Sequence, residues 1–196
     1  MFTRFFLIFL LTMFSGPTVA AIAIPPDELQ ALLDVKVRAI KRLASNRVIV
    51  DAVKGQNAKK VSLNEIKKLD GEWRATKALT PFKKSLQTNS AGKRLKRAVR
   101  RNPTYGEAFL TDNQGANVAA YPATSDYWQG DEEKFTASYN KGEGNVFIGP
   151  IEYDESSQTH AAQVSVPVLD SGKAIGVLVV GVKLDYLAWK KSRKKK

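Results

Sequence analysis

The aromatic loop, residues 121–131, carries the side chains of this 196-residue chain that are best suited to binding a small molecule. Rings that exclude water, together with a few polar atoms that fix orientation, are what a small-molecule pocket needs. The loop residues predicted to contact a ligand are Tyr121, Thr124, Asp126, Tyr127, Trp128 and Asp131. Two alternatives remain open. Tyr127 and Trp128 would simply cap the core, and Asp131 would cap a following helix from Glu132 to Tyr139.

Strands that face this loop are predicted to supply the rest of the pocket. The strand candidates are Phe147, Tyr153, His160, Gln163 and Ser165. His160 is the only histidine in the chain, and a lone histidine cannot form a multi-histidine metal site. Its alternative role is that of an edge or surface group. No metal and no cofactor are expected.

Catalysis is not supported by the residue types present. The chain has no cysteine, which excludes a cysteine nucleophile and a disulfide framework. No serine lies in the G-x-S-x-G turn that exposes a nucleophile. The acidic residues at 131–133 and 154–155 lack the spacing of an EF-hand calcium loop. We therefore expect a binding protein and not an enzyme.

Two hairpin signals organise the segment that must position these residues. The turn Asp112-Asn113-Gln114-Gly115 separates two short apolar runs, and Asn and Gly tolerate the positive φ angles that such turns need. A second turn, 169–173, joins two β-branched runs. The pattern predicts an α+β fold in which an antiparallel sheet carries the aromatic loop across one face.

Helical signals precede the sheet. Apolar residues at spacings of three and four follow Pro25-Pro26 and predict a long helix, with or without a bend, as far as Gly55. Ser62 and Glu65 form a capping box for a second helix that runs to about Leu79. Ser90 is the expected cap of a third helix, which is strongly basic and stops at Asn102-Pro103.

From Asp112 to Leu184 the chain resembles the extracytoplasmic PAS-like sensor domains of the Cache (PDC) type, found in bacterial chemoreceptors and membrane histidine kinases. The resemblance implies a five-stranded antiparallel sheet with flanking helices and a ligand held between the sheet and its covering loops. Lys134-Phe135 departs from the family pattern, which has tryptophans there. The residues that carry the resemblance are Asp112 to Gly115, Tyr121, Ser125-Asp126-Tyr127, Asp131-Glu132, Phe135, Gly149, Asp154, Ser156 or Ser157, Val166-Pro167-Val168, Gly172 and Gly176.

The two ends of the chain differ from the rest in composition. Arg4 followed by a ten-residue apolar run, Phe5 to Phe14, predicts a signal peptide over residues 1–23. The expected order is then a helical region (24–104), the PAS-like domain (105–188) and a basic tail (189–196). This organisation predicts a periplasmic or secreted protein. The alternative is an uncleaved N-terminal membrane anchor with the domain outside the cytoplasm.

The net charge of +12 is concentrated in two places. One is the basic tail, and the other is the basic block, six Lys and Arg residues between Lys93 and Arg101. Such blocks favour polyanions, and the alternative is a solvated helix face and a frayed end. Secretion makes nucleic acid a poor partner.

Together these features predict a sensory domain that binds a small polar molecule of the amino acid, carboxylate or amine class without catalysis. The last predicted strand leads to the basic tail, so we expect a separate, membrane-bound signalling partner. The alternative function is a basic interaction protein that docks on anionic membranes or polymers.

Overall fold

The computed structural model describes residues 26–154 and 159–186. The predicted signal peptide (1–23) and basic tail (189–196) lie outside these residues. Within the described ranges the chain forms six α-helices and one six-stranded sheet whose strand pairs are all antiparallel. The predicted α+β class is confirmed. No helix in these ranges is both long enough and apolar enough to span a membrane.

The helices and strands follow one another in two groups, with five helices before the sheet. The helices are α1 (Pro26–Ala44), α2 (Arg47–Asn57), α3 (Leu63–Arg74), α4 (Pro81–Thr88), α5 (Ser90–Arg101) and α6 (Glu133–Tyr139). The strands are β1 (Tyr105–Thr111), β2 (Asn117–Tyr121), β3 (Phe147–Ile148), β4 (Glu152–Asp154), β5 (Thr159–Asp170) and β6 (Lys173–Lys183). The sheet order is β2-β1-β6-β5-β3, and β4 also pairs with β5.

Helix ends follow the local capping chemistry closely. The long N-terminal helix breaks after Ala44, because the Asn46 side chain accepts the Val48 amide (3.1 Å) and starts a separate helix. Ser62 caps α3 as predicted, with its hydroxyl 3.2 Å from the Glu65 amide. The cap of α5 is Asn89 and not Ser90, because the Asn89 side chain reaches the Gly92 amide at 2.7 Å.

Both predicted hairpins are present. The first joins β1 to β2, and the buried Asp112 carboxylate accepts the amides of Gln114 (2.8 Å) and Ala116 (2.9 Å) within the turn. The second joins β5 to β6 through Ser171 and Gly172, both of which have positive φ. The two long strands of this second hairpin form the middle of the sheet.

One face of the sheet, the helical face, carries the main core. Side chains of α1, α2 and α5 pack there against alternate residues of β1, β5 and β6. Fully buried members include Ile40, Ile49, Leu95, Leu110 and Val180. The core thus joins the predicted helical region to the sheet.

The opposite face, the front face, is covered only in part. Phe135 and Tyr139 of the seven-residue helix α6 pack there against Phe109, Val177 and Val179. Seven residues of helix span about 10 Å, which is less than the length of an eleven-residue strand such as β6. Part of the front face therefore lies beyond the reach of α6.

The junction of α4 and α5 depends on a close backbone contact at Gly92. A Cβ atom there would overlap the Leu86 carbonyl oxygen and lie 2.7 Å from the Gln87 carbonyl carbon. We predict that Gly92→Ala lowers the free energy of unfolding by about 1–3 kcal/mol, because two backbone segments would have to separate. Urea denaturation followed by circular dichroism measures this change.

Gly71→Ala in α3 is the matched control, since a Cβ there meets no atom within 4 Å. It should stabilise the protein by about 0.5–1 kcal/mol through its higher helix propensity. Equal effects of the two substitutions would contradict the packing proposed for Gly92.

Candidate functional site

The uncovered part of the front face is the floor of a cleft of about 770 Å³. We call it the front cleft. Its walls are the start of β1, the end of β6, the first half of β5 and the loops that precede α6 and β4. The lining residues are Gly106, Glu107, Pro122, Glu132, Lys134, Gly149, Pro150, Glu152, Tyr153, Ala161, Gln163, Gly181 and Lys183.

Strand register places one polar bridge across the floor. Glu107 of β1 and Gln163 of β5 both pair with Gly181 of β6, which lies between them. The Gln163 amide nitrogen donates to the Glu107 carboxylate at 2.9 Å. A Cβ atom on Gly181 would lie 2.9 Å from the Glu107 Cγ, so the absence of a side chain leaves room for the bridge.

Further charges stand around this bridge. Lys134 pairs with Glu132 (Nζ to Oε2, 2.6 Å) and also lies 5.5 Å from the centroid of the Phe109 ring. Burial raises the pKa of Glu132, and the Asp126 carboxylate raises it further against the opposing effect of Lys134. Lys183 forms no ion pair within the part of the chain that the structure describes. The cleft thus presents an ammonium group beside a hydrogen-bonded carboxylate.

The aromatic loop does not lie across the front face. The buried carboxylate of Asp70 in α3 accepts the backbone amides of Tyr127 (2.8 Å) and Trp128 (3.1 Å). The indole nitrogen of Trp73 donates to the Thr124 carbonyl at 2.9 Å. These bonds hold the loop at the β2 edge of the sheet, against α3 and α4. The predicted placement across one face is therefore wrong, because backbone groups of the loop bond to α3 and to the residues at the start of β2.

The two central rings of the loop have different environments. Tyr127 is 3% exposed and packs between Trp73 and Phe82, with ring centroids 5.8 and 5.2 Å away. Trp128 is half-buried, and its indole nitrogen donates to the Gln114 carbonyl at 2.8 Å. The Lys67 ammonium lies 4.8 Å from the centroid of the Trp128 ring. Tyr127 also lines a second cavity, on the side of the helices.

The remaining loop candidates do not line the front cleft. Tyr121 faces α5, where Arg100 donates to its hydroxyl at 3.1 Å. The Thr124 hydroxyl donates to the Asp126 carbonyl at 2.6 Å, and the Asp126 carboxylate accepts from Gln129. Asp131 is exposed and does not cap α6, because the helix starts one residue later and its N-cap is Glu132, with no side-chain cap. Hydrogen bonds within the loop thus occupy most of its polar groups.

The strand candidates are divided between the cleft and other places. Tyr153 and Gln163 line the front cleft. Phe147 pairs with the fully buried Ser165, whose hydroxyl has no hydrogen-bond partner among the described residues. Neither residue lines the cleft, and His160 lies outside it as well. A ligand-binding role for the eleven residues that the sequence singles out remains a prediction.

His160 is hydrogen-bonded to Asp185 and lies beside the cleft residue Tyr153, with the two rings 5.4 Å apart. Its ring nitrogen Nδ1 lies 3.1 Å from the Asp185 carboxylate, which also accepts the His160 amide at 2.9 Å. Burial raises the pKa of Asp185, but the hydrogen bonds from His160 and Thr159 outweigh it and lower the pKa overall. The pair links the start of β5 to the end of β6.

Glu107, Gly181 and Lys183 are among the cleft residues that the sequence analysis missed. Glu107 directly precedes the apolar run that begins at Ala108, and Lys183 directly follows Val182, so each looked like a residue that flanks a strand. Gly181 looked like part of an apolar run. The available signal was the position of the charge: Glu107 and Lys183 each lie at a strand end, at a position whose side chain points to the same face as the cleft. The described residues contain no cluster of three His, Cys, Asp or Glu side chains able to hold a metal.

Comparison with known proteins gives structural similarity without sequence similarity. No protein-family model matches the chain, and no curated protein matches it. Among solved structures, the chain is similar to sensor domains of histidine kinases and chemoreceptors.

Three of these structures are representative. The sensor domain of the V. cholerae histidine kinase DctB has a TM-score of 0.48 and 15% identity, with 83% of this chain and 54% of that chain covered. The sensory domain of the Campylobacter jejuni chemoreceptor Tlp3, solved with isoleucine bound, has a TM-score of 0.38 and 18% identity, with coverages of 84% and 67%.

The ligand-binding domain of the Pseudomonas fluorescens chemoreceptor CtaA, solved with L-serine, has a TM-score of 0.44 and 12% identity, with coverages of 82% and 55%. The chain thus spans about half the length of the DctB and CtaA domains.

The Asp70 carboxylate should be a major determinant of the loop's position. We predict that Asp70→Ala lowers the free energy of unfolding by about 1–3 kcal/mol, because the Tyr127 and Trp128 amides lose their acceptor. The same variant should show faster hydrogen exchange at these two amides.

Asp51→Ala is the matched control, because Asp51 forms an exposed ion pair with Arg47 one turn away in α2. Its cost should stay within about 0.5 kcal/mol. Asp70→Ala with unchanged exchange at Tyr127 would contradict the anchoring role.

Proposed function

We propose that this protein is a sensor domain that binds a small polar molecule of the amino acid class in the front cleft. It binds without catalysis and passes the bound state to a separate partner. The observation that carries the proposal is the front cleft itself, with its polar bridge of Glu107 and Gln163 and the ammonium group of Lys183.

Volume and polarity support a small ligand. Pockets for small molecules usually measure about 300–1,000 Å³, and the front cleft falls within that range. The cleft has mixed charges, with carboxylates on Glu107, Glu132 and Glu152 and ammonium groups on Lys134 and Lys183. A molecule with both an ammonium and a carboxylate group complements such a site better than a purely apolar one.

The charges also suggest an orientation. Glu132 and Lys134 neutralise each other, which leaves Lys183 as the group for a ligand carboxylate. Glu107 keeps acceptor capacity beyond its single bond from Gln163, because a carboxylate has about four lone-pair sites. We propose that Glu107 accepts the ligand ammonium group.

Signalling and location are further parts of the proposal. The bound state would pass to a membrane-bound partner, and the domain would lie in the periplasm or outside the cell. Support comes from the composition of residues 1–23, which is typical of a signal peptide. Intact mass of the protein recovered from its native compartment tests cleavage of this segment.

Binding in the front cleft predicts a specific loss on substitution of Lys183. L-serine, L-isoleucine, L-valine, succinate and ethanolamine should be screened by thermal shift and then by calorimetry. For a probe that binds and carries a carboxylate group, Lys183→Ala should weaken affinity by about tenfold or more, since a charge-assisted hydrogen bond is lost.

The control is Lys173→Ala, at the opposite end of the same strand, where Lys173 forms an exposed pair with Glu143. It should leave the affinity unchanged. Retained binding in Lys183→Ala, with loss in Tyr127→Ala and Trp128→Ala, would favour the aromatic loop as the site. Absence of binding by every probe would overturn the proposal.

A second candidate function rests on the basic block. Helix α5 carries six Lys and Arg residues and no acidic residue, and none of the six takes part in an ion pair within the described ranges. An array of unpaired cations favours an anionic surface. We propose the phospholipid membrane as that surface.

Sedimentation with vesicles of phosphatidylglycerol and phosphatidylcholine tests this second function. Binding should weaken as salt rises, and Lys93→Glu combined with Arg97→Glu should reduce it several-fold, because these exposed cations face the lipid. Lys77→Glu combined with Lys84→Glu changes the net charge equally, away from α5, and should have a smaller effect. Equal effects of the two pairs would rule out a defined surface.

A further inference from the structure

A second cavity of about 630 Å³ lies between the main core and the helices that hold the aromatic loop. We call it the helical cavity. It is bounded by α2 and the start of α5 on one side, and by α3, α4 and the aromatic loop on the other. Its apolar walls include Val61, Leu69, Phe82, Leu86, Val118 and Tyr127. It is separate from the front cleft, because the two share no lining residue.

Most polar side chains of its wall are already occupied within the protein. Asn89 donates to the Val118 carbonyl at 2.9 Å, Ser85 donates to the Phe82 carbonyl at 2.7 Å, and Gln56 accepts from Lys59 at 3.0 Å. These contacts leave the wall mainly apolar. A charged or strongly polar ligand would lose its hydration against the apolar walls and would find charged partners only in the exposed Asp51 and Lys59.

The Tyr127 hydroxyl is different. Its side chain is 97% buried and lines the cavity, yet the hydroxyl makes no hydrogen bond to any residue that the structure describes. Burial, with the Asp112 carboxylate nearby, raises the pKa of Tyr127 to about 12, so the group remains a neutral donor at physiological pH. Unlike the Asn117 Oδ1 and Ser165 Oγ atoms, the Tyr127 hydroxyl oxygen is not fully enclosed by the described residues, so it is open to a ligand or to water.

The side-chain oxygen Oδ1 of Asn117 also lacks a hydrogen-bond partner among the described residues. It is enclosed within the wall, however, and the same amide donates to Thr124 (2.8 Å) and to the Asp126 carbonyl (3.1 Å). Among the residues of the aromatic loop, Tyr127 lines the cavity and leaves its hydroxyl available to a bound molecule. Phe82 and Tyr127, 5.2 Å apart, add two aromatic rings to the wall.

We propose that the helical cavity is a second ligand site, which binds a small neutral aromatic molecule with one hydrogen-bond acceptor. The rings of Phe82 and Tyr127 contact its aromatic part, and the Tyr127 hydroxyl donates to its acceptor. This site differs in chemistry from the front cleft, and its occupancy does not require a ligand there.

Helix α2 offers a substitution that fills the cavity. Gly55 lines it, and a Cβ atom on Gly55 would meet no other atom within 4 Å. Gly55→Leu therefore places a side chain in the cavity with little strain elsewhere. Gly71→Leu in α3 is the matched control, because Gly71 has the same open surroundings but does not line the cavity.

The test uses the full chain and acetophenone as the probe, with ethylbenzene as an analogue of similar shape that lacks the acceptor. Saturation-transfer NMR and calorimetry should detect acetophenone binding that Gly55→Leu abolishes and Gly71→Leu retains. Tyr127→Phe keeps the ring but removes the hydroxyl, and it should weaken acetophenone binding by about fivefold, to the affinity of ethylbenzene.

Three outcomes would overturn the proposal. The first is the absence of acetophenone binding to the unaltered chain. The second is binding that survives Gly55→Leu, which would place the molecule elsewhere. The third is loss of binding in Lys183→Ala, which would assign it to the front cleft. Equal affinity of Tyr127→Phe and the unaltered chain for acetophenone would show that the hydroxyl does not bond to the bound molecule. This result would overturn the role assigned to the Tyr127 hydroxyl.

Discussion

The Asp70 carboxylate holds the aromatic loop against α3, and the form of both cavities depends on this contact. One buried oxygen accepts two consecutive backbone amides, while the other oxygen pairs with Arg74 at 3.0 Å. The partners compensate the cost of burying the charge, and two amides of the loop are satisfied at the same time. The chain therefore passes along the β2 edge of the sheet, and the front face remains open beyond α6.

The sheet supplies a complementary constraint. Its helical face is a continuous apolar core, but the front face changes character along its strands, from Val177 and Val179 under α6 to Gly181 and Lys183 in the cleft. The missing side chain of Gly181 allows Glu107 and Gln163 to meet across β6. Two cavities with different chemistry result, one charged and open on the front face, the other mainly apolar beside the helices.

Local signals in the sequence were sufficient for the hairpins, the antiparallel sheet and some helix ends, such as the start of α3 at Ser62 and the end of α5 before Pro103. Turn residues such as Asp112 and Gly172 act within a few positions of the chain, so their effect can be predicted without tertiary knowledge. The path of the aromatic loop could not be predicted in this way, because Asp70 lies 57 positions before Tyr127 and its buried role appears only when α3 is in place. The front cleft was missed for a similar reason, since Glu107, Gln163 and Lys183 come from three strands and meet only through register. The placement of a ligand between the sheet and its covering loops, implied by the resemblance to Cache domains, remains a prediction.

The most direct test of this account is to map ligand contacts by two-dimensional ¹H–¹⁵N NMR during titration with the amino acid that stabilises the protein most. The account predicts that the amides of Gly106, Gly149 and Gly181, which line the front cleft, shift progressively with ligand concentration. The Tyr127 and Trp128 amides, held by Asp70, should move little. Shifts confined to residues 121–131, with the three glycine amides unchanged, would contradict it.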